Sequence, residues 1–132
     1  MKWFFGNLEE QTLWNDNFRK VHYTGKHMQL VLMSLEVGED IGEEVHTDTD
    51  QFFRFESGNG KVVIDENEYA VTWGDGVIVP SGARHNIINT STTETLKIYT
   101  IYAPSHHQDA VVRKTKAEAV ASSPEFDGKT SE

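Results

Sequence analysis

What most limits the folds open to this chain is the way its β-compatible stretches are punctuated. They lie at residues 28–37, 44–46, 51–56, 61–65, 69–73, 77–79, 85–89 and 96–102. Turn formers separate them, among them Gly38-Glu39-Asp40-Ile41-Gly42, Thr47-Asp48-Thr49-Asp50, Ser57-Gly58-Asn59-Gly60, Gly74-Asp75-Gly76 and Pro80-Ser81-Gly82. No interval between them is long enough, or periodic enough, to bury one face of a helix. About eight short strands without intervening helices predict an all-β sandwich or barrel rather than an α/β sheet, and closure into a barrel would remove exposed edges.

The two ends read differently. Residues 1–27 mix turn formers and aromatics, as in Trp14-Asn15-Asp16-Asn17-Phe18-Arg19, and are expected to form an N-terminal arm, irregular or carrying a short helix. Beyond Pro104, the stretch Thr115-Lys116-Ala117-Glu118-Ala119-Val120-Ala121 is rich in helix formers and Ser122-Ser123-Pro124 ends it, which predicts a short C-terminal helix. The expected organisation is an arm at 1–27, a β-barrel at 28–104 and a tail with a short helix at 105–132. A length of 132 residues is that of one ordinary domain.

Composition narrows the chemistry. The chain has no cysteine, so disulfides, thiolate metal sites and cysteine nucleophiles are all excluded, and a metal would have to be held by imidazole, carboxylate or amide. A net charge of −9, from 12 basic and 21 acidic residues, repels phosphate backbones and anionic lipid, so neither nucleic acid nor membrane is an expected partner. The apolar run after Met1-Lys2 is too short for a signal-peptide core and meets Glu9-Glu10, which makes a cytoplasmic location the expectation.

Two stretches are far more specific than the rest. In the second, Gly74, Pro80, Gly82, His85 and Asn89 stand at the spacing G, five residues, P-x-G, two residues, H, three residues, N. Glycines allow tight or left-handed turns, and the proline stiffens the corner before His85. In the first, Gly38, Glu44-Val45-His46, Gln51 and Gly58 keep the spacing G, five residues, H-x-H, four residues, E, six residues, G, with glutamate in place of the first histidine and glutamine in place of the glutamate. Both resemble the paired signatures of cupins, over roughly residues 29–104. The chain is similar to the small single-domain cupins described as mannose-6-phosphate-isomerase-like, including Thr100-Ile101-Tyr102-Ala103-Pro104 and Lys114-Thr115-Lys116-Ala117-Glu118-Ala119.

The resemblance implies a double-stranded β-helix, or jelly-roll, barrel holding one divalent metal ion between Glu44, His46, Gln51 and His85. Residues two apart on a strand share a face, so Glu44 and His46 both point inward, and a turn returns Gln51 from the next strand. Two imidazoles, a carboxylate and an amide oxygen with open positions suit iron, manganese, nickel, cobalt or zinc better than calcium. The implied function is a metal-dependent enzyme, an isomerase or lyase acting on a small-molecule substrate of the sugar or sugar-acid type, with Glu44 as ligand or general base. The alternatives are an iron-dependent dioxygenase and a non-catalytic ligand-binding or sensor barrel.

The other candidates carry less. Phe53 and Phe55 share the inward parity of Gln51. Tyr99 and Tyr102 face opposite ways, so only one can enter the barrel. Asp48 and Asp50 read as turn residues at the mouth and Arg84 as a surface salt link. His22, His27, His106 and His107 are expected outside the metal pocket, with His106-His107 a lid at most. Trp3, Phe4 and Phe5 read, by analogy with cupins that pair through terminal strands, as part of a homodimer contact.

Overall fold

The structure is a computed structural model that describes residues 1–132. In chain order the elements are α1 (Leu8–Trp14), β1 (Arg19–Thr24), β2 (Gln29–Leu35), β3 (Asp50–Ser57), β4 (Asn59–Ile64), β5 (Asn67–Thr72), β6 (Gly76–Val79), β7 (His85–Asn89), β8 (Leu96–Ala103), β9 (Val112–Arg113) and α2 (Lys116–Ala121). A six-stranded sheet, ordered β6-β3-β8-β2-β1-β9, packs over a three-stranded sheet, ordered β5-β4-β7. Every strand pairing is antiparallel. This is the expected all-β jelly roll, with a short C-terminal helix.

Alternation sets the inner face. On β3, Gln51, Phe53 and Phe55 are buried while Asp50 is exposed, and on β7 it is His85, Ile87 and Asn89 that face in. Across the larger sheet Tyr102 lies between Gln29 of β2 and Gln51 of β3, and Thr100 lies between Val31 and Phe53. The core therefore changes along the barrel, from apolar around Val31, Phe53, Phe55, Val62, Ile87, Leu96 and Ile98 to polar around Gln29, Gln51 and Tyr102.

All seven residues of β2 are buried, unlike any other strand. One face meets the core. Over the other lie the N-terminal residues: Trp3, Phe4 and Leu8 surround Leu30 and Ile101, and α1 packs against β3 and β8. Coverage on both sides explains the unbroken apolar run Leu30-Val31-Leu32-Met33, which an alternating strand would not need.

The sequence reading did not anticipate β1 or β9, and it placed a strand at 44–46 where there is none. Arg19–Thr24 lies within the stretch read as irregular but pairs with both β2 and β9. A bulge between Val21 and Tyr23 breaks its alternation, which hides the strand period. Around Glu44 the chain makes only an isolated bridge to His85. No helix is long and apolar enough to cross a membrane.

Candidate metal centre

The site begins with backbone. Glu44 and His85 exchange two hydrogen bonds, Glu44 N–H to His85 O and His85 N–H to Glu44 O, each 2.9 Å. Residues paired in this way project their side chains to the same side, so one bridge brings Glu44 of the first motif beside His85 of the second. The turn Pro80-Ser81-Gly82 then fixes His46: Gly82 has φ of +89°, a left-handed value that glycine adopts without strain, and its N–H donates to His46 O at 2.6 Å. Asn89 closes the other end of β7, its side-chain amide donating to Leu35 O, Glu36 O and Glu94 O. The motif's glycine, histidine and asparagine thus have separate mechanical tasks.

Glu44, His46 and His85 each present a ligand atom within 4.8 Å of the others. His46 Nε2 lies 3.1 Å from Glu44 Oε2, and the two imidazole centroids are 5.3 Å apart. Gln51 lies directly opposite Tyr102, whose ring is 5.7 Å from that of His46, and its Nε2 donates to Thr100 Oγ1 at 2.9 Å.

His46 Nε2, His85 Nε2 and Gln51 Oε1 are all buried without a hydrogen-bond partner. Leaving such atoms unmet costs on the order of 1–3 kcal/mol each. His85 Nδ1 is 3.1 Å from Ala83 O, and a carbonyl can only accept, so in the neutral ring Nδ1 carries the proton and Nε2 keeps its lone pair. With neutral imidazoles, the two Nε2 atoms, the Gln51 oxygen and the Glu44 carboxylate, which the protein engages only through its contact with His46, form a donor set that suits a divalent transition ion. Burial raises the Glu44 pKa, but contact with His46 and the charges of His46, Arg19 and His85 outweigh it and leave the carboxyl below its ordinary value. Glu44 is therefore anionic at neutral pH.

The surroundings correct one expectation and extend another. His106, read as outside the pocket, packs its ring 4.3 Å from that of His46 and stacks on Tyr102 at 5.4 Å. It lines a cleft of about 400 Å³ with Thr47, Asp48, Ser105 and Glu125. Burial, then the neighbouring His46, holds its pKa below the usual imidazole range. His107 lies 3.2 Å from the Tyr102 hydroxyl, and burial pushes its pKa down to about 2. Gln29 seats both histidines: its oxygen accepts from the His106 and His107 N–H groups, and its amide donates to His107 O and Thr24 Oγ1. Nothing local in the sequence marks 106–107, because the chain returns to the site only after leaving β8.

The remaining candidates fall as follows. Phe53 and Phe55 are core residues, 1% and 0% exposed, and Phe53 also meets the His85 ring at 6.0 Å. Tyr102 is the tyrosine that enters the barrel, and Tyr99 packs on Phe52 outside it. Asp48 stands at the cleft mouth, and Asp50 accepts a hydrogen bond from Ser81 N–H. Arg84 pairs with Glu43 at the surface. His22 packs on Phe4 and His27 is exposed. Arg19, which the sequence reading left unassigned, is 5% exposed; its alternation with Val21 was the available signal.

Comparison with known proteins agrees with this architecture. The family model described as a cupin domain matches residues 31–102. The uncharacterized protein YrkC of Bacillus subtilis (strain 168) is 44% identical over 124 residues, 89% of this chain and 66% of its own length. The uncharacterized protein L612 of Acanthamoeba polyphaga mimivirus is 44% identical over 104 residues, 76% of this chain. The chain spans 66% and 65% of the length of these two curated relatives. The crystal structure of BH2720 from Bacillus halodurans aligns with a TM-score of 0.89 and 40% identity, covering 92% of this chain and 96% of that one.

Proposed function

The chain belongs to the cupin domain family, and from that premise we propose that it is a metal-dependent enzyme acting on a small oxygenated substrate. The observation that carries the reading is the convergence of Glu44, His46 and His85 within 4.8 Å, with the buried acceptors of His46, His85 and Gln51 left free. Glu44, His46 and His85, with Gln51 as a fourth donor, would hold one divalent ion of the iron, manganese, nickel, cobalt or zinc group. Such an ion supplies Lewis-acid polarisation of a carbonyl or hydroxyl oxygen.

The chain's own groups would do the rest. A carboxyl as acidic as Glu44 has little affinity for a proton, so its depressed pKa favours the ligand role over that of general base. His106 is better placed to move a proton, being neutral at pH 7 and lining the cleft beside His46. Tyr102 and His106 stack, and His107 meets both edge-on, so the three rings form one wall of the site. Isomerisation or elimination on a sugar or sugar acid fits this set, since either needs only polarisation and proton movement. The sugar-type substrate follows the resemblance to the mannose-6-phosphate-isomerase-like cupins. A homodimer is part of the same proposal, with Trp3 and Phe5, 76% and 92% exposed, at the contact.

Elemental analysis of protein purified without chelators tests the centre. About one ion per chain is expected, lost in both His46→Ala and His85→Ala. Retention in either variant, with its fold verified by circular dichroism, would remove that residue from the ligand set.

A further inference from the structure

Arg19 is a buried cation that belongs to no ion pair, although its charge acts on the Glu44 carboxylate. It sits on β1 with its side chain on the core side, as Val21 does, opposite Met33 of β2. Of its five N–H donors, the only one engaged is on Nη1, which reaches Ser123 Oγ at 3.3 Å. Nε is buried with no partner. The protein's ion pairs all involve other residues. The guanidinium carbon is 5.5 Å from the Phe18 ring centroid, a weak compensation for lost hydration. Burying an ion costs several kcal/mol unless a counter-charge meets it.

The guanidinium also faces space. Arg19 lines a cleft of about 260 Å³ with Phe18, Ile41, Glu44, Lys116 and Ser123. Glu44 thus belongs both to the metal cluster and to the wall of this cleft. Lys116 at the rim is already paired with Asp40. The cleft therefore offers one guanidinium that no carboxylate reaches at ion-pairing distance, shared at long range with Glu44 and held in a planar fork that matches two oxygens of an oxyanion.

We propose that Arg19 is a substrate-binding residue that takes the carboxylate of a small organic acid, placing the neighbouring oxygen of that acid toward Glu44 and the metal cluster. A single guanidinium neutralises one charge. A dianionic phosphate would keep an uncompensated charge beside the Glu44 carboxylate, so a carboxylate is the better match. This deepens the proposed function by choosing a sugar acid or related hydroxy acid over a neutral sugar, and it rests on that reading for what lies at the other end of the substrate.

The test uses chelator-treated protein, in which no metal can supply the anion contact. Acetate, glycolate and inorganic phosphate are titrated by calorimetry and amide NMR into the native chain, Arg19→Gln, Arg19→Lys and the surface control Arg84→Gln. Saturable binding of acetate and glycolate is expected, weakened on the order of ten- to hundredfold in Arg19→Gln, intermediate in Arg19→Lys and retained in Arg84→Gln. Binding that is absent, equal in Arg19→Gln, or tighter for phosphate than for both carboxylates overturns the proposal. If Arg19→Gln does not fold, Arg19→Lys decides: it keeps the charge without the fork, and unchanged affinity there overturns the assignment. Metal content is read on each protein before chelator treatment, so loss of the metal reading leaves the carboxylate result standing, and the reverse.

Discussion

An amide stands at position 51 where a carboxylate would give the centre a second negative ligand, and the structure shows what the exchange changes. Gln51 is 2% exposed, and in the proposed centre it would join Glu44 as a ligand. Two carboxylates there, without a cation, would repel each other in a poorly solvated site. Glutamine keeps the donor oxygen and lets the empty centre fold with a single negative charge. Gln51→Glu is accordingly expected to lose about 2–4 kcal/mol in chelator, comparable to an uncompensated buried charge, and to recover with added manganese or zinc. Thermal melts under both conditions check this, and identical melting points would show that position 51 does not sense the ion. Motif spacing is what singles out position 51 as a candidate, whereas no fixed spacing ties Arg19 or His106 to the motif.

Between elements, two tethers decide how the site is enclosed. Gln29, fully buried on β2, makes four hydrogen bonds, one to Thr24 and three that seat His106 and His107 over Tyr102. Gln29→Leu leaves two backbone N–H groups and a carbonyl unmet, so a loss of about 2–4 kcal/mol is expected. Hydrogen exchange should quicken at His106 and His107 before it does at β3 or β8; uniform acceleration would mean that Gln29 supports the whole barrel rather than this segment. The second tether holds α2. Lys116 and the Asn86 amide bind the Asp40 carboxylate and lower its pKa against the opposing effect of burial. A depressed carboxyl stabilises the fold above its unfolded value, near 3.8, and that contribution disappears as pH falls through the lower folded value. Both side chains are about a third exposed, so the pair is worth at most about 1 kcal/mol and weakens in salt. Urea titrations of the native chain and Lys116→Met should differ at pH 7 and converge as the pH falls well below 3.8. A gap that persists in acid would assign the role of Lys116 to packing instead.

For the molecule as a whole, the apolar layer carries the fold and the polar layer carries the proposed chemistry. Phe55, fully buried in the core, is expected to cost about 3–5 kcal/mol on replacement by alanine, read from chemical denaturation, with metal stoichiometry preserved in the folded fraction. Metal and folding are linked by mass action: an ion at a hundred times its Kd adds about 2.7 kcal/mol. Chelation should therefore lower the melting temperature of the native chain and leave that of His46→Ala unmoved. Much of this was legible in one dimension. Turn residues and strand alternation are local, so the all-β class, the inward parity of Gln51, Phe53 and Phe55, and the short tail helix could be read from neighbouring residues. The two motifs brought Glu44, His46 and His85 into view because their spacings encode a turn, a bridge and a strand. Contacts between segments far apart in the chain stayed hidden. β1 was concealed by its bulge, the burial of both faces of β2 depends on the N-terminal residues folding back over it, and Arg19 meets Glu44 only across the cleft beside α2. Local stereochemistry is written residue by residue, whereas the partner of a buried charge is chosen by packing, and packing exists only once the sheets have closed.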